Sequence, residues 1–490
     1  MNRYYILGIL ATSSFLASSS EIRSISLDET ILMARSRSVD AQVAVNAFKS
    51  AYWSYRSYRA ELLPEVNFNA TLPSYAKSYS AYQLENGSYT YVRNNYLNTY
   101  GQLSVDQSIW LTGGTLSLNT SLDFMRTLES PATNRYMSIP IALKLSQPIF
   151  AVNNVKWKRR IEPVRYEEAK ADFIEATEKV AMTAINYYFN LLYSTENVEI
   201  EKQNVTNASK LYEVAKAKRK MGQISENDLL QLELNKIQAE ANLTDALSNR
   251  QSNMFRLVAF LNLPEDTELI PNIPIHTPEI QIDYNNVLER ALENNSFSKN
   301  LRRRQLEADY AVATAKGNLR QVTLYAQVGF TGTNNTFSAA YDRLKDNQIV
   351  EIGLKIPILD WGKRRGQVKV AESNRDLTKA LLRQEAQTFN QDLFVLVERF
   401  NNQRQQVEIA IKADAIANKR YHTNYETFMI GKISTLDLND SNTSKDQARL
   451  KVINELFNYW YYYYQLRSLT LWDFINRKSI DADFDKIVKD

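Results

Sequence analysis

"MGQISENDLL" at 221–230 and "IGKISTLDLN" at 430–439 say nearly the same thing. Gly222 pairs with Gly431, Ile224 with Ile433, Ser225 with Ser434, Asp228 with Asp437 and Leu229 with Leu438, at an offset of 209 residues (430 − 221). The register holds upstream without a gap. "VEI" at 198–200 meets "VEI" at 407–409, Tyr212 meets Tyr421, and Pro148 in "SQPIF" meets Pro357 in "KIPIL". Chance identity does not keep one register over such a span, so the chain is a duplicated unit. Within each copy the glycine suits a helix C-terminus in the left-handed region. The serine then caps the next helix, and the aspartate three residues on completes a capping box near the positive end of the helix dipole. Each copy therefore reads as a tight turn between two antiparallel helices.

Composition narrows the class. The 490 residues include only 13 Gly and 11 Pro, well below average usage, which favours long helices over a many-turned globule. Net charge is +4, with 59 basic and 55 acidic residues spread along the chain, so there is no nucleic-acid footprint. Cysteine is absent, which excludes disulfides and thiolate metal sites. The two histidines, His276 and His422, stand apart from each other, and Ser-His-Asp and Cys-His chemistry lack their parts. No catalytic residue, metal site or cofactor is expected, and the protein is read as a non-enzyme. "MNRYYILGILATSSFLASSSE" opens with one Arg and an apolar run followed by small residues, a secretory signal over 1–20 cleaved near Ser19 or Ser20.

The two halves carry the same order of signals. The first repeat is expected over 21–262 and the second over 282–471, with a proline-rich connector at 263–281 and a C-terminal segment at 472–490. A helical stretch comes first in each, at 39–63 and 297–319. Period-two segments follow, within about 64–149 and 321–358: Val66, Phe68, Ala70 and Leu72 alternate with polar residues, as do Val322, Leu324, Ala326 and Val328. Such runs are long enough to cross an outer membrane as tilted strands. The first half adds a strand, the turn "LTGG" and another strand, an extra hairpin that the second half lacks. Long helices are predicted at 154–221 and 363–430, each about 100 Å at 1.5 Å per residue, and shorter ones at 225–262 and 434–471. After Gly222, Leu230, Leu234, Ile237 and Ala241 form one apolar seam and Leu232, Ala239, Leu243 and Ala246 a second, so the helix can touch neighbours on two sides. The aromatic run "YWYYYYQLRSLTLWDF" (459–474) is read as packing.

These features resemble the TolC-like outer-membrane efflux proteins. The resemblance rests on "AELLPEVNFNA" (60–70) entering the first strand and on "LSQPIF" (145–150) and "LKIPILDWGKRR" (354–365) leaving the strands for a long helix. The paired Gly-x-Ile-Ser turns complete it. The implied fold is mostly α with membrane β: a duplicated α-barrel of long coiled-coil helices and a trimeric outer-membrane β-barrel. The implied function is a passive exit duct for efflux or type I secretion, in the outer membrane with a periplasmic tunnel. Implied partners are two further copies in a homotrimer, a periplasmic adaptor, an inner-membrane pump or ABC transporter, and outer-membrane lipid. The resemblance makes the two turns the adaptor-docking tips, through Gly222, Ile224, Ser225, Asp228, Gly431, Ile433 and Ser434. Asp437 and Asp440 match the acidic positions that line the channel constriction, and threefold symmetry would stack them as two rings of carboxylates. Some members carry an Arg two residues after the turn Gly; Ile433 stands there, beside Lys432. The alternative is an exported coiled-coil scaffold or adhesin with no channel, which has no need for period-two apolar strands in both halves.

Overall fold

The chain is described by a computed structural model over residues 22–355 and 358–489. The expected secretion signal and Pro357 lie outside the described residues. In chain order the first repeat holds Ile22–Ile25 (β1), Leu27–Arg37 (α1), Val39–Ala60 (α2), Glu65–Gln83 (β2), Tyr89–Ser108 (β3), Thr115–Thr127 (β4), Asn134–Pro148 (β5), Asn154–Lys220 (α3) and Glu226–Phe260 (α4). After Glu268–Pro271 (β6), the second holds Tyr284–Asn294 (α5), Ser296–Gly317 (α6), Gln321–Asn334 (β7), Ala339–Asp342 (α7), Lys345–Lys355 (β8), Lys363–Met429 (α8) and Thr435–Thr470 (α9). Trp472–Asp473 (β9), Lys478–Ser479 (β10) and Phe484–Lys489 (α10) end the chain.

The duplication is metrical. α1 and α5 have 11 residues each, α2 and α6 have 22 each, and α3 and α8 have 67 each. The short helices begin alike, with Ser26 Oγ accepting from the Glu29 amide and an Asp283 carboxylate oxygen from the Asn286 amide. Ser38 and Asn295, both extended, break the chain between the first and second helix of each repeat. Before the strands the repeats are offset by 257 residues (284 − 27), after them by 209 (363 − 154), so the first repeat carries 48 residues more (257 − 209).

The described residues cluster into two compact units. One takes in residues up to 47, 171–295 and 390–487. Its core is helical, with Tyr188, Leu257, Phe400, Leu456 and Tyr459 fully buried. The phenols of this core are tied to backbone: Tyr188 donates to the Asn272 and Ile25 carbonyls, and Tyr459 donates to Pro278 O at 2.6 Å. The proline-rich connector is thereby stitched to the helices, and its β6 pairs in parallel with β1, Ile22 opposite Glu268 to Ile25 opposite Pro271. The aromatic run on α9 is packing in this sense, and it encloses charge. Arg467 donates to both oxygens of Glu178 and to Asp473, while Tyr463 donates to Asp473 at 2.7 Å.

The other unit, residues 48–170 and 296–389 with the chain end, carries one antiparallel sheet in the order β2-β3-β4-β5-β7-β8. Its side chains are sorted by face, as period two requires. Val66 lies opposite Val105, Val105 opposite Leu118, Leu118 opposite Leu143, and Leu143 opposite Val328, an apolar row across five strands. On β8, Val350, Ile352 and Leu354 continue it beside Ala326, Leu324 and Val322. This apolar face is the exposed one: Phe68 is 71%, Val328 59% and Val350 75% open. The polar face holds Ser104, Asn119, Ser121 and Gln327, all buried. A sheet in water has the opposite arrangement.

Candidate functional site

The two tips are built alike and lie in the same helical unit. At the first, Gly222 (φ +72) donates to Arg219 O at 2.9 Å and Gln223 donates to Lys218 O at 2.9 Å. At the second, Gly431 (φ +76) donates to Phe428 O at 2.8 Å and Lys432 donates to Thr427 O at 3.1 Å. Both are Schellman turns, which satisfy carbonyls the helix end leaves open. Nothing lies within 4 Å of a Cβ placed on either glycine, so the left-handed backbone, not crowding, calls for glycine there. The next helix of each pair opens on a full capping box. Ser225 Oγ accepts from the Asp228 amide at 3.1 Å and the Asp228 carboxylate accepts from the Ser225 amide at 3.3 Å; Ser434 and Asp437 repeat this at 3.1 and 3.3 Å.

Below the turns the two tips share one apolar cluster. Leu211, Ala215, Leu232, Tyr421 and Leu438 are buried, with Ile224 and Ile433 packed against them. The isoleucines of the repeated phrase thus hold the two turns to one cluster, and Lys218 Nζ crosses to Met429 O at 3.1 Å. Of the two seams on α4, Leu232, Ala239 and Ala246 are buried, while Leu230, Leu234 and Ile237 remain exposed.

The two acidic residues of the second tip occupy different environments. Asp437 belongs to the cap: the Ser434 hydroxyl and amide hold its carboxyl below the ordinary aspartate value. Asn424 Nδ2 reaches the Asp437 carbonyl at 3.3 Å. Asp440, one turn on, takes no part in the cap and accepts from Arg420 of α8 at 2.5 Å. The position matching Asp440 in the first tip is Gln231, which bonds Asn235 at 3.1 Å on its own helix. Arg420 had no place in the sequence reading, because its partner lies across the hairpin and no local spacing signals it.

Behind the tips the interior turns polar. A cavity of about 470 Å³ lies among α3, α4, α8 and α9, lined by Asn204, Asn235, Asn439, Asn442 and Asp446 among others. Asn204 donates to Asp446 at 3.0 Å, Asn442 donates to Asn204 at 3.0 Å, and Lys445 Nζ stands 3.1 Å from Asp446. At its edge burial pushes the Tyr421 phenol up to about 12, so it stays neutral and accepts from Asn207 at 2.9 Å. Helices joined here by amides and water-sized space pack less tightly than they would through an apolar seam. Among the described residues no group of three His, Asp or Glu side chains is placed to hold a metal ion, and no helix is long and apolar enough to cross a membrane.

Comparison with known proteins gives the context. The family model described as outer membrane efflux protein matches residues 111–263 and 288–469, well over half of the chain. Solved structures with similar folds include the Campylobacter jejuni CmeC outer membrane channel, with 17% identity and a TM-score of 0.65 over 94% of this chain and 88% of that one. VceC, an outer membrane protein of Vibrio cholerae, aligns at 15% identity and a TM-score of 0.63, covering 93% of this chain and 97% of its own. The open state of the Neisseria gonorrhoeae MtrE outer membrane channel aligns at 14% identity and 0.60, covering 93% and 91%. No curated protein matches the sequence.

Proposed function

The chain belongs to the outer membrane efflux protein family, and from that premise we propose that it forms the exit duct of a tripartite efflux or type I secretion system. It is an outer-membrane protein with the TolC-like fold, a passive channel component and not an enzyme. In the proposed assembly three copies close around a common pore, with the sheet in the membrane and the helices in the periplasm. A periplasmic adaptor docks on the paired tips, and an inner-membrane pump or ABC transporter supplies the energy.

The observation that carries this reading is the sorting of the sheet. Apolar side chains cover the face that is exposed, from Val66 through Val105, Leu118 and Leu143 to Val328, and polar ones line the face that is buried. Lipid on one side and an aqueous lumen on the other satisfy both faces. A water-soluble scaffold or adhesin would leave that apolar band in water.

The tips supply the docking and gating elements of the proposal. Gly222, Ile224, Ser225 and Asp228 with Gly431, Ile433 and Ser434 form the docking surface, while Asp437 and Asp440 supply the constriction. The exposed seam of Leu230, Leu234 and Ile237 suits a helix of the neighbouring copy. The test uses Gly222→Leu and Gly431→Leu. Both put a β-carbon on a left-handed residue at the adaptor contact, where a non-glycine residue costs about 1–2 kcal/mol locally. Trimers should survive on native gels while export in cells is lost; normal export by both variants would remove the tips from docking.

A further inference from the structure

We infer that each copy supplies six strands to the membrane wall, and that β2 of one copy pairs with β8 of the next, so that three copies close an 18-stranded barrel (3 × 6). The inference rests on the exit-duct reading for the number of copies; the six-strand contribution and the pairing edges come from this chain.

The surplus of 48 residues in the first repeat is the starting point. The second repeat sends one hairpin, β7–β8, between its helices, and a strict duplicate would send one from the first. Four strands are present instead, and the additional pair is laid into the wall. β3 pairs with β4 without a break from Tyr96 opposite Thr127 to Ser108 opposite Thr115. β4 pairs in turn with β5, and β5 with β7. Both faces run through the insertion. Val105 and Leu118 carry the apolar row, and Ser104, Asn119 and Ser121 carry the buried polar side.

The turn joining β3 to β4 is anchored at the helical rim. Asn153, just ahead of α3, caps that helix by accepting from the Lys156 amide at 2.9 Å. Its Nδ2 donates to Trp110 O at 2.9 Å and Leu111 O at 3.1 Å. Gln147 donates to Thr112 O at 3.1 Å, and Arg159 of α3 lies 4.4 Å from the Trp110 ring centre. Gly113 has φ +77, and a Cβ there would meet Asn153 at 3.0 Å; one on Gly114 would meet Gln147 at 2.3 Å. A hairpin lying loose over the sheet has no use for such a fit.

The edges then choose their partner. Among the described strands β2 and β8 are the ends of the sheet and do not pair with each other. Their free N–H and C=O groups have no partner in lipid, where only closed sheets persist. β2 starts at α2 and β8 returns toward α8, so the two edges run in opposite directions. A second copy therefore presents β2 to β8 antiparallel, and adding strands in pairs preserves this match. Had the insertion added one strand, the edges would meet parallel.

The chain has no cysteine, so engineered pairs report without background. The experiment places one cysteine on the polar face of β2 (Asn67→Cys or Asn69→Cys) and one on that of β8 (Ile349→Cys or Glu351→Cys). Oxidation in outer-membrane vesicles should give disulfide-linked dimers and trimers and nothing larger, with no bands from the single variants. A second arm compares Leu118→Cys, on the inserted hairpin, with Val328→Cys, on the repeated one. Both should resist a membrane-impermeant maleimide and react with a lipid-soluble one. Absence of bands from all four pairings overturns the β2–β8 contact. Labelling of Leu118→Cys alone by the impermeant reagent puts the insertion outside the wall and leaves the duct reading standing. Labelling of both means the sheet is not in lipid, and the duct reading falls with it.

Discussion

Asp440 and Arg420 show how much one substitution between repeats changes. In the first tip Gln231 turns back to Asn235 on its own helix; in the second, Asp440 reaches across the hairpin to α8. Both partners are largely exposed, so the pair holds its geometry by only about 0.2–1 kcal/mol, a population factor of about five at most. Such a weak pair suits the proposed role of Asp440 in a constriction that must open. It also masks a carboxylate that could otherwise bind a multivalent cation. The two variants are predicted to move in opposite directions. Asp440→Asn should weaken block of planar-bilayer conductance by trivalent cations, and Arg420→Gln should strengthen it about two- to fivefold by freeing the carboxylate. Equal block in both variants would remove the pair from the conduction path. Asp437 differs in kind, since its carboxyl is lowered by the Ser434 hydroxyl and amide. A carboxyl lowered on folding stabilises fully above its unfolded value and loses that contribution as pH falls through the folded one. Acid should therefore fray the start of α9, read as lower amide protection factors at 431–440, each taken against the intrinsic exchange rate at that pH. Ser434→Ala, about 1 kcal/mol less stable at the cap, should lose most of that pH dependence.

At the scale of elements, the carboxyl end of α9 closes over a buried network that the helical unit depends on. Glu178 is fully buried, and Arg467 and Asp473 nearly so. Burial pushes the Asp473 carboxyl up, but hydrogen bonds from the Asn476 amide and side chain and from Tyr463, with the charge of Arg467, bring it to about 2. Glu178 also pairs with Arg35, so removing Arg467 takes one of its two guanidinium partners and leaves Asp473 to the neutral donors of Tyr463 and Asn476, at a cost of up to about 3–5 kcal/mol. Arg467→Leu is thus predicted to lower the unfolding midpoint sharply, and Arg467→Leu with Glu178→Leu to cost less than the sum of the two single changes; additive losses would deny the coupling. Little of this network could be read in advance. Arg467 and Glu178 are 289 residues apart, and nothing in "YWYYYYQLRSLTLWDF" says which tyrosines face charge. The tips were legible because their signals are local: a glycine, a serine and an aspartate at fixed spacing describe a turn whatever surrounds it. The strands were legible because period two survives in each, and the hairpin around "LTGG" because it adds a turn between two alternating runs. β1, β6 and α1 were not anticipated. Four-residue strands carry no periodicity, and a parallel pair joining residues 22–25 to 268–271 leaves no nearby trace.

In the proposed barrel the inserted hairpin changes the width of the membrane portion only. Barrel diameter grows roughly linearly with strand number, so two added strands per copy widen the membrane portion by about half over a twelve-stranded wall. The tips, built the same way in both repeats, gain nothing from the insertion. Conductance is limited by the narrowest section and would scarcely report the difference; the size of polymer admitted from the outer side would. Residues 84–131 number 48, the surplus between repeats, and deleting them joins β2 to β5 as β7 joins β8. The deletion variant should still form trimers and export. Its outer mouth should exclude neutral polymers that enter the parent barrel, with a lumen cross-section of roughly half, while exclusion from the tip side stays the same. An unchanged outer cut-off in intact trimers would mean that the hairpin does not set the wall. Should the deletion fail to assemble, Leu118→Arg makes the same distinction. An arginine on the lipid face costs up to about 2–4 kcal/mol at the midplane and less toward the rim, and should impair insertion, whereas on a hairpin in water it would be silent.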